Sequence, residues 1–268
     1  MAGFPIDSLL PAVHQHLARS NRLVLQAEPG AGKTTRIPLA LLDSDWLQGR
    51  KIIMLEPRRL AARSAARFMA RMLGERVGAT VGYRVRLDTR VGPDTRVEVV
   101  TEGVLTRLMQ ADPALESVGL VIFDEFHERS LQTDLGLALC LDSQAVLRED
   151  LRLLVMSATL DGAAVSRLLG NSDVLGCEGR SFPVTTHYRP LRNDFRRQRR
   201  QFCHEVAASV VKILGETRGS VLLFLPGAGE IRQVQGALQG LDLPADIQLA
   251  PLMGQQDAAA QDRAIQPA

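Results

Sequence analysis

The sequence predicts an α/β fold in which helices cover both faces of a parallel sheet. Apolar runs of strand length alternate with helix-length segments along most of the 268 residues. Several of these runs are apolar on both faces, and Leu120–Phe123 is continuously apolar, which is typical of strands buried on both faces. A glycine-rich turn at 27–34 also connects one such run directly to a helical segment. Together these features indicate repeated strand–helix units around one sheet.

The elements can be assigned in chain order from apolar spacing. The first predicted helix is Pro5–Arg19, in which Leu9, Leu10, Val13 and Leu17 recur at helical spacing. The predicted helices that follow it are Gly32–Leu42, Arg58–Leu73, Glu102–Met109, Leu135–Leu147, Ala163–Leu169, Glu205–Leu214 and Glu230–Leu238. The predicted strands are Arg22–Ala27, Lys51–Glu56, Thr80–Tyr83, Arg96–Val100, Leu120–Phe123, Leu151–Met156, Val221–Leu225 and Ile247–Leu249.

The composition changes near Arg189, where a basic stretch with little apolar periodicity begins. We expect a first lobe at 1–188, a basic linker at 189–203 and a second unit at 204–268. The second unit has only two predicted strands, and so small a parallel sheet would keep an unpaired edge and an uncovered face. We therefore expect the second unit to be incomplete and the chain to stop within it.

Charge and cysteine content narrow the function classes. Thirty-two basic and thirty acidic side chains leave a net charge of +2, so any nucleic-acid contact must come from a local patch. Cys140, Cys177 and Cys203 are odd in number and lack C-x-x-C spacing, which argues against a disulfide framework and a zinc site. No leader-like N-terminus and no apolar run of about 20 residues is present. We expect a cytoplasmic protein without a membrane partner.

The turn Ala27–Thr34, with the sequence AEPGAGKT, has the features of a triphosphate-binding loop. Its glycines allow backbone N–H groups to approach phosphates closely, and the following helix N-terminus favours negative charge. Lys33 is expected to reach the β and γ phosphates, and the Thr34 hydroxyl to bind Mg²⁺. The predicted cofactors are therefore ATP and Mg²⁺. The candidate nucleotide-binding residues are Pro29, Gly30, Ala31, Gly32, Lys33, Thr34 and Thr35.

The segment Leu120–Arg129, LVIFDEFHER, places two carboxylates at the C-terminal end of an apolar strand. In open α/β sheets this edge is where ligands bind. Asp124 is suited to a Mg²⁺ contact, and Glu125 to the metal and to orienting and deprotonating the attacking water. His127 could sense the γ-phosphate. By itself the acidic pair could equally be a solvated loop, and the phosphate loop upstream favours the catalytic interpretation.

The phosphate loop, the D-E-x-H sequence and Ser157–Ala158–Thr159 after the strand LRLLVM together resemble the DEAH-box helicases of superfamily two. The runs EPRRLAAR from Glu56, TEGVLTR from Thr101 and DEFHERSLQTDL from Asp124 are similar to the bacterial HrpB subgroup of that family. The resemblance extends from about Leu9 to the end of the sequence.

The resemblance implies a RecA-like P-loop lobe followed by the opening of a second RecA-like lobe. It implies that the segments at 57–59 and 101–103 hold the backbone of a single strand, and the candidate nucleic-acid residues are Arg58, Arg59, Thr101, Glu102 and Gly103. Ser157 and Thr159 would couple hydrolysis to strand binding. The implied partner is single-stranded or structured RNA, although no residue distinguishes RNA from DNA.

The family's later arginine-rich motif, which supplies charge to the γ-phosphate, has no counterpart before Ala268. Such arginines contribute roughly 10³–10⁵ in rate in related systems. We therefore expect the chain to bind ATP and Mg²⁺, to hydrolyse ATP poorly, and to be unable to unwind a duplex without the rest of a helicase. Two alternatives stay open: a P-loop ATPase of another kind, and a non-catalytic, nucleotide-gated RNA-binding fragment.

Overall fold

The computed structural model describes residues 3–158, 162–179, 182–241 and 243–265. The chain divides into two compact units, Met1–Phe182 and Pro183–Ala268. The division falls six residues before the end of the predicted first lobe.

In the part of the first unit that the structure describes, eight strands form one sheet. The strands are β1 (Arg22–Ala27), β2 (Lys51–Leu55), β3 (Val81–Val85), β4 (Asp88–Arg90), β5 (Val97–Val100), β6 (Val118–Phe123), β7 (Arg152–Ser157) and β8 (Val174–Cys177). Their order across the sheet is β4-β3-β5-β2-β6-β7-β1-β8. Every neighbouring pair is parallel except β3 and β4, which form an antiparallel hairpin. The predicted α/β fold with a parallel sheet is confirmed.

The described residues of this unit form six α-helices, together with short 3-10 helices at Pro5–Leu9, Asp45–Leu47 and Phe126–Glu128. The α-helices are α1 (Leu10–Arg19), α2 (Lys33–Ala40), α3 (Arg59–Met72), α4 (Glu102–Ala111), α5 (Leu131–Val146) and α6 (Gly162–Leu168). The predicted helix Pro5–Arg19 is therefore a 3-10 helix followed by an α-helix.

Two hydrophobic cores, one on each face of the sheet, explain why the central strands are apolar without alternation. In β6, Leu120 and Ile122 belong to one core, while Val121 and Phe123 belong to the other. In a strand, successive side chains point to opposite faces, so a strand covered on both faces buries all of them. Every residue of β6 is buried.

The sequence analysis missed two edge strands, β4 and β8. The polar sequence of β4, Asp-Thr-Arg, gives no apolar signal, and the Tyr83 hydroxyl donates a 2.9 Å hydrogen bond to Asp88 across the hairpin. Strand β8 is half-exposed and pairs only with β1. Both strands depend on pairing with a buried neighbour, which local composition does not reveal.

The second unit is helical in its described residues. It contains α7 (Arg199–Glu216), α8 (Ala228–Gln239) and α9 (Ala258–Ile265). A small core is formed by Cys203, Val206, Ala207, Val210, Val234 and Leu238. Helix α7 begins at Arg199, so the last five residues of the predicted linker 189–203 are helical. The apolar side of α7 begins at Cys203, before the predicted helix start.

The two strands predicted for this unit are not formed: Val221–Leu225 and Ile247–Leu249 belong to no sheet. Their apolar sequences suit strands, but a strand also needs a backbone partner. Leu222 and Phe224 are 77% and 85% exposed, which places them outside the small core. Across the described parts of both units, no helix combines the length and apolar character that crossing a membrane requires.

Candidate functional site

The candidate residues converge because parallel strands present their C-terminal ends at one edge of the sheet. Neighbouring strands in the order β5, β2, β6, β7 and β1 are followed by Thr101, Glu56, Asp124, Ala158 and the phosphate loop, respectively. Four strand spacings separate β5 from β1, or about 19 Å. The candidate strand-binding segments thus lie on one side of the acidic pair, and the phosphate loop lies on the other.

The phosphate loop leaves β1 and ends at the first residue of α2. Gly30 and Gly32 have φ angles of +80° and +91°, a left-handed conformation that favours glycine. Pro29 and Gly30 are exposed, whereas Ala31 is buried in the core. Ala31 therefore anchors the loop to the hydrophobic core. At the start of α2, Lys33 is buried and both Thr34 and Thr35 are partly exposed.

Lys33 and Glu125 form the contact that joins the loop to the acidic pair. The Lys33 Nζ atom lies 2.8 Å from Glu125 Oε1. Glu125 has a φ of +49°, unusual for a residue with a side chain, and stands immediately before the 3-10 helix Phe126–Glu128. Such backbone strain persists only where the surrounding structure holds it. The turn directs the Glu125 carboxylate back toward the phosphate loop.

Asp124 is buried at the base of this site. Its Oδ1 atom accepts a 2.8 Å hydrogen bond from the Glu125 backbone N–H. Among the described residues, its Oδ2 atom has no hydrogen-bond partner. Burial raises the pKa of the Asp124 carboxyl to about 6, although the neighbouring Thr34 hydroxyl and Lys33 ammonium act in the opposite direction.

His127 lies between the acidic pair and the end of β7. Its Nε2 atom is 3.4 Å from Glu125 Oε2, and its Nδ1 atom accepts a 3.4 Å hydrogen bond from the Ala158 N–H. Because Nδ1 accepts, a neutral ring carries its proton on Nε2 and donates toward Glu125. Ser157 is buried at the end of β7, in register with Gln26 of β1. Thr159, the other candidate coupling residue, lies outside the described residues.

These residues fit a magnesium-bound triphosphate. A buried carboxylate oxygen without a donor is costly, and a cation at Asp124 would remove that cost. Thr34 would supply a hydroxyl oxygen of the kind that Mg²⁺ prefers. Within the described residues, no group of three or more His, Cys, Asp or Glu side chains could hold a metal. Mg²⁺ commonly takes one or two carboxylates and completes its shell with phosphates and water.

Arg58, a candidate strand-binding residue, is held by a carboxylate that the sequence analysis did not single out. Its Nη2 and Nε atoms lie 2.6 Å and 3.3 Å from the two carboxylate oxygens of Glu128. Both contacts lie on one edge of the guanidinium group, and its third nitrogen, Nη1, does not contact Glu128. The Arg58 side chain remains 70% exposed, so a phosphate can still reach it. Arg59, the first residue of α3, is also exposed.

The second candidate strand-binding segment surrounds the N-terminus of α4. Thr101 is the residue before the helix, and Gly103 is exposed with open space where a side chain would stand. The Glu102 side chain points elsewhere: its Oε1 accepts hydrogen bonds from the Ser130 and Thr133 hydroxyls at 2.6 Å and 2.7 Å. These bonds hold one oxygen of the Glu102 carboxylate at the N-terminus of α5.

Glu56 is a further buried carboxyl that the sequence did not reveal as unusual. It follows β2, is 3% exposed, and lies next to the acidic pair. Burial, followed by the charge of Asp124, raises its pKa from the ordinary 4.5 to about 8. Its position in the apolar-to-basic sequence LEPRR carries no signal of burial. Three acidic side chains, Glu56, Asp124 and Glu125, therefore lie near one another at this edge of the sheet.

Comparison with known proteins decides the family. A sequence model described as DEAD/DEAH box helicase matches residues 10–168, more than half of the chain. The chain belongs to the DEAD/DEAH box helicase family.

Individual helicases resemble the chain over its whole length. It is 50% identical to the Escherichia coli K12 protein named ATP-dependent RNA helicase HrpB, over all of this chain and 32% of that protein. It is 32% identical to E. coli K12 HrpA, also named an ATP-dependent RNA helicase, over 97% of this chain and 20% of that one. A crystal structure of E. coli DEAH/RHA helicase HrpB superposes with a TM-score of 0.88 at 49% identity, covering 99% of this chain and 33% of that one. The chain thus spans a third or less of the length of these helicases.

Glu56→Gln tests the buried carboxyl. A carboxyl whose pKa is raised by folding stabilises the folded state fully below pH about 4.5, and this contribution is lost as the pH rises through about 8. We expect the Gln variant to lack this part of the loss of stability with rising pH. Its melting temperature should therefore rise relative to that of the unchanged chain between pH 5 and pH 8. Glu116→Gln, at an exposed carboxylate, is the matched control. Equal pH slopes in all three proteins would contradict the assignment.

Proposed function

We propose that this chain is the nucleotide-binding part of an ATP-dependent RNA helicase, which binds ATP with Mg²⁺ next to a site for a single strand. The observation that carries the proposal is the juxtaposition of Lys33 with Glu125 at 2.8 Å, above a buried Asp124 oxygen that lacks a partner. The juxtaposition supports one site in which Lys33 would contact a phosphate, Asp124 would hold the metal and Glu125 would act as the base.

Nucleotide binding would redistribute the charges of this site. Lys33 now neutralises Glu125, and a triphosphate in the loop would compete for the same ammonium group. We propose that Lys33 turns to the phosphates and leaves the Glu125 carboxylate available to a water molecule. Bound Mg²⁺ would withdraw negative charge from the phosphate bond that breaks. Asp124 would hold that ion through the oxygen that now lacks a partner, with Thr34 beside it.

Glu125 is then the candidate general base. Its carboxylate would accept a proton from the attacking water and orient that water toward the γ-phosphate. His127 supports this role because its Nε2 lies 3.4 Å from the other Glu125 oxygen. The Ala158 N–H at His127 Nδ1 fixes the orientation of the ring. His127 would in this way connect the acidic pair to the end of β7, where the proposed coupling residue Ser157 lies and which the other proposed coupling residue, Thr159, follows in sequence.

For the nucleic acid, we propose backbone contacts at the ends of β2 and β5. Arg58 and Arg59 present exposed guanidinium groups, and Thr101 with Gly103 presents the N-terminus of α4. Such contacts hold phosphates without reading sequence. RNA is proposed over DNA because the relatives HrpB and HrpA are named RNA helicases. The activity of a whole helicase belongs to the proposal, since this chain corresponds to about a third of HrpB.

For the chain by itself, we propose slow hydrolysis and no unwinding. The family resemblance assigns γ-phosphate charge stabilisation to a later arginine-rich motif, and slow turnover would follow without it. The free thiols Cys140, Cys177 and Cys203 support a reducing location, which we propose to be the cytoplasm.

Steady-state ATP hydrolysis with Mg²⁺, measured with and without single-stranded RNA, separates the proposal from its alternatives. We expect slow turnover in both conditions, and Glu125→Gln should lower the rate by roughly 10²–10⁴ while nucleotide remains bound. Glu116→Gln provides a control with the same chemical change at an exposed position. Strong RNA-stimulated turnover by the chain would contradict the slow-hydrolysis proposal. Unchanged turnover in Glu125→Gln would remove Glu125 as the base.

Strand binding should depend on salt through the phosphate contacts. Each contact with a single-stranded phosphate contributes about −0.7 to the slope of log affinity against log salt. We expect Arg58→Ala to weaken binding of a fluorescent single-stranded RNA and to make the slope less negative by about that amount. Arg71→Ala, at an exposed arginine in the last turn of α3, the helix that Arg58 precedes, should leave the slope unchanged. Equal slopes for the two variants would contradict the Arg58 contact.

A further inference from the structure

The first residues of the described chain lie against the phosphate loop. The 3-10 helix Pro5–Leu9 precedes α1, and its Ile6 backbone N–H donates a 3.1 Å hydrogen bond to the carbonyl of Ala31. The Ile6 side chain is fully buried in the same core as Ala31. A segment that precedes the loop by about 25 residues in sequence therefore contacts the loop on its buried side.

Phe4 packs against the loop at its last glycine. A Cβ atom built onto Gly32 would lie 2.8 Å from Phe4 Cγ and 2.9 Å from Phe4 Cβ, so the two residues are in close contact. Phe4 itself is 39% exposed and is not one of the core residues. The Phe4 ring therefore packs against the loop and is not part of the hydrophobic core.

Asp7 completes the arrangement by joining Phe4 to the helix that follows the loop. One Asp7 oxygen accepts a 2.9 Å hydrogen bond from the Phe4 N–H, and the other accepts a 2.7 Å bond from Arg36 Nε. Arg36 stands one turn after Lys33 in α2, and its N–H donates to the Gly32 carbonyl at 3.0 Å. The Arg36 guanidinium holds the pKa of Asp7 below its usual range, so the ion pair is present at neutral pH.

The loop needs such external support. Gly30 and Gly32 both occupy left-handed conformations, and glycine loses more conformational freedom on ordering than any other residue. Within the loop, the Ala31 N–H donates to the Glu28 carbonyl at 3.2 Å. Ordering a loop at the moment of binding reduces affinity, whereas a loop already held in place avoids that loss.

We propose that Phe4 and Asp7 are positioning residues for the phosphate loop, setting nucleotide affinity through Gly32 and Arg36 without touching the nucleotide. This inference rests on the proposed function, because it assigns a determinant of affinity to the same nucleotide site. Through these contacts, the segment Phe4–Asp7 keeps the loop in its binding conformation before the nucleotide binds.

The test measures binding of ATP and of inorganic tripolyphosphate, each with Mg²⁺, to the whole chain. We expect Phe4→Ala and Asp7→Asn to weaken both ligands by a similar factor, roughly three- to tenfold, since the loop acts on the phosphates that they share. Phe4→Leu should restore affinity, because leucine supplies the Cβ, Cγ and Cδ atoms that lie against Gly32. Asp43→Asn removes a different Asp–Arg pair, with Arg96 at 3.2 Å, and should change neither affinity.

Each other outcome has a defined meaning. If the unchanged chain binds neither ligand, the proposed function fails and this inference fails with it. If the unchanged chain binds both and Phe4→Ala binds them equally well, only the inference is overturned. Weakening confined to ATP, without rescue by Phe4→Leu, would mean that the ring acts on the base or ribose and would also overturn it. An equal loss of affinity in Asp43→Asn would mean that breaking any surface ion pair weakens binding, and it would also overturn the inference.

Discussion

The contact between Lys33 and Glu125 is the interaction on which the site depends. These residues follow β1 and β6, which are separated in the sheet by β7, so only a parallel arrangement brings both to the same edge. The left-handed backbone of Glu125 and the glycines of the phosphate loop then turn each side chain toward the other. The parallel sheet places both residues at one edge, and the left-handed turns after β1 and β6 bring the two charged groups into contact.

The charge balance around this contact explains why the site suits a metal-bound nucleotide. Glu56 and Asp124 are buried beside Glu125, and the buried Lys33 ammonium contacts Glu125 and lies near Asp124. Burial, followed by the charge of Asp124, raises the pKa of Glu56, and burial raises the pKa of Asp124, with the charge of Glu125 acting in the same direction. A divalent ion held by Asp124 would favour the charged form of that carboxyl. Metal binding should therefore be linked to release of the proton that part of the Asp124 population carries.

The sequence was sufficient for the central parallel strands and for locating candidate residues at their ends, because both follow from periodicity and from local motifs. Apolar runs located the central strands, and the loop and acidic pair were recognisable from residue types between elements. Pairings between distant segments were not accessible: nothing local to Glu128 indicates Arg58, and nothing local to Glu102 indicates Ser130 or Thr133. The strands expected at Val221–Leu225 and Ile247–Leu249 failed for the same reason, since strand sequence does not supply a strand partner.

The most direct test of the account is a calorimetric titration of the chain with ATP, with Mg²⁺ present and then with Mg²⁺ chelated, repeated on Lys33→Ala. The account predicts saturable binding with Mg²⁺, clearly weaker binding without it, and a large loss of affinity in Lys33→Ala, because the lysine and the metal both act on the phosphates. Binding that is indifferent to Mg²⁺ and to Lys33 would contradict it. The phosphate loop and the acidic pair would then not form one nucleotide site.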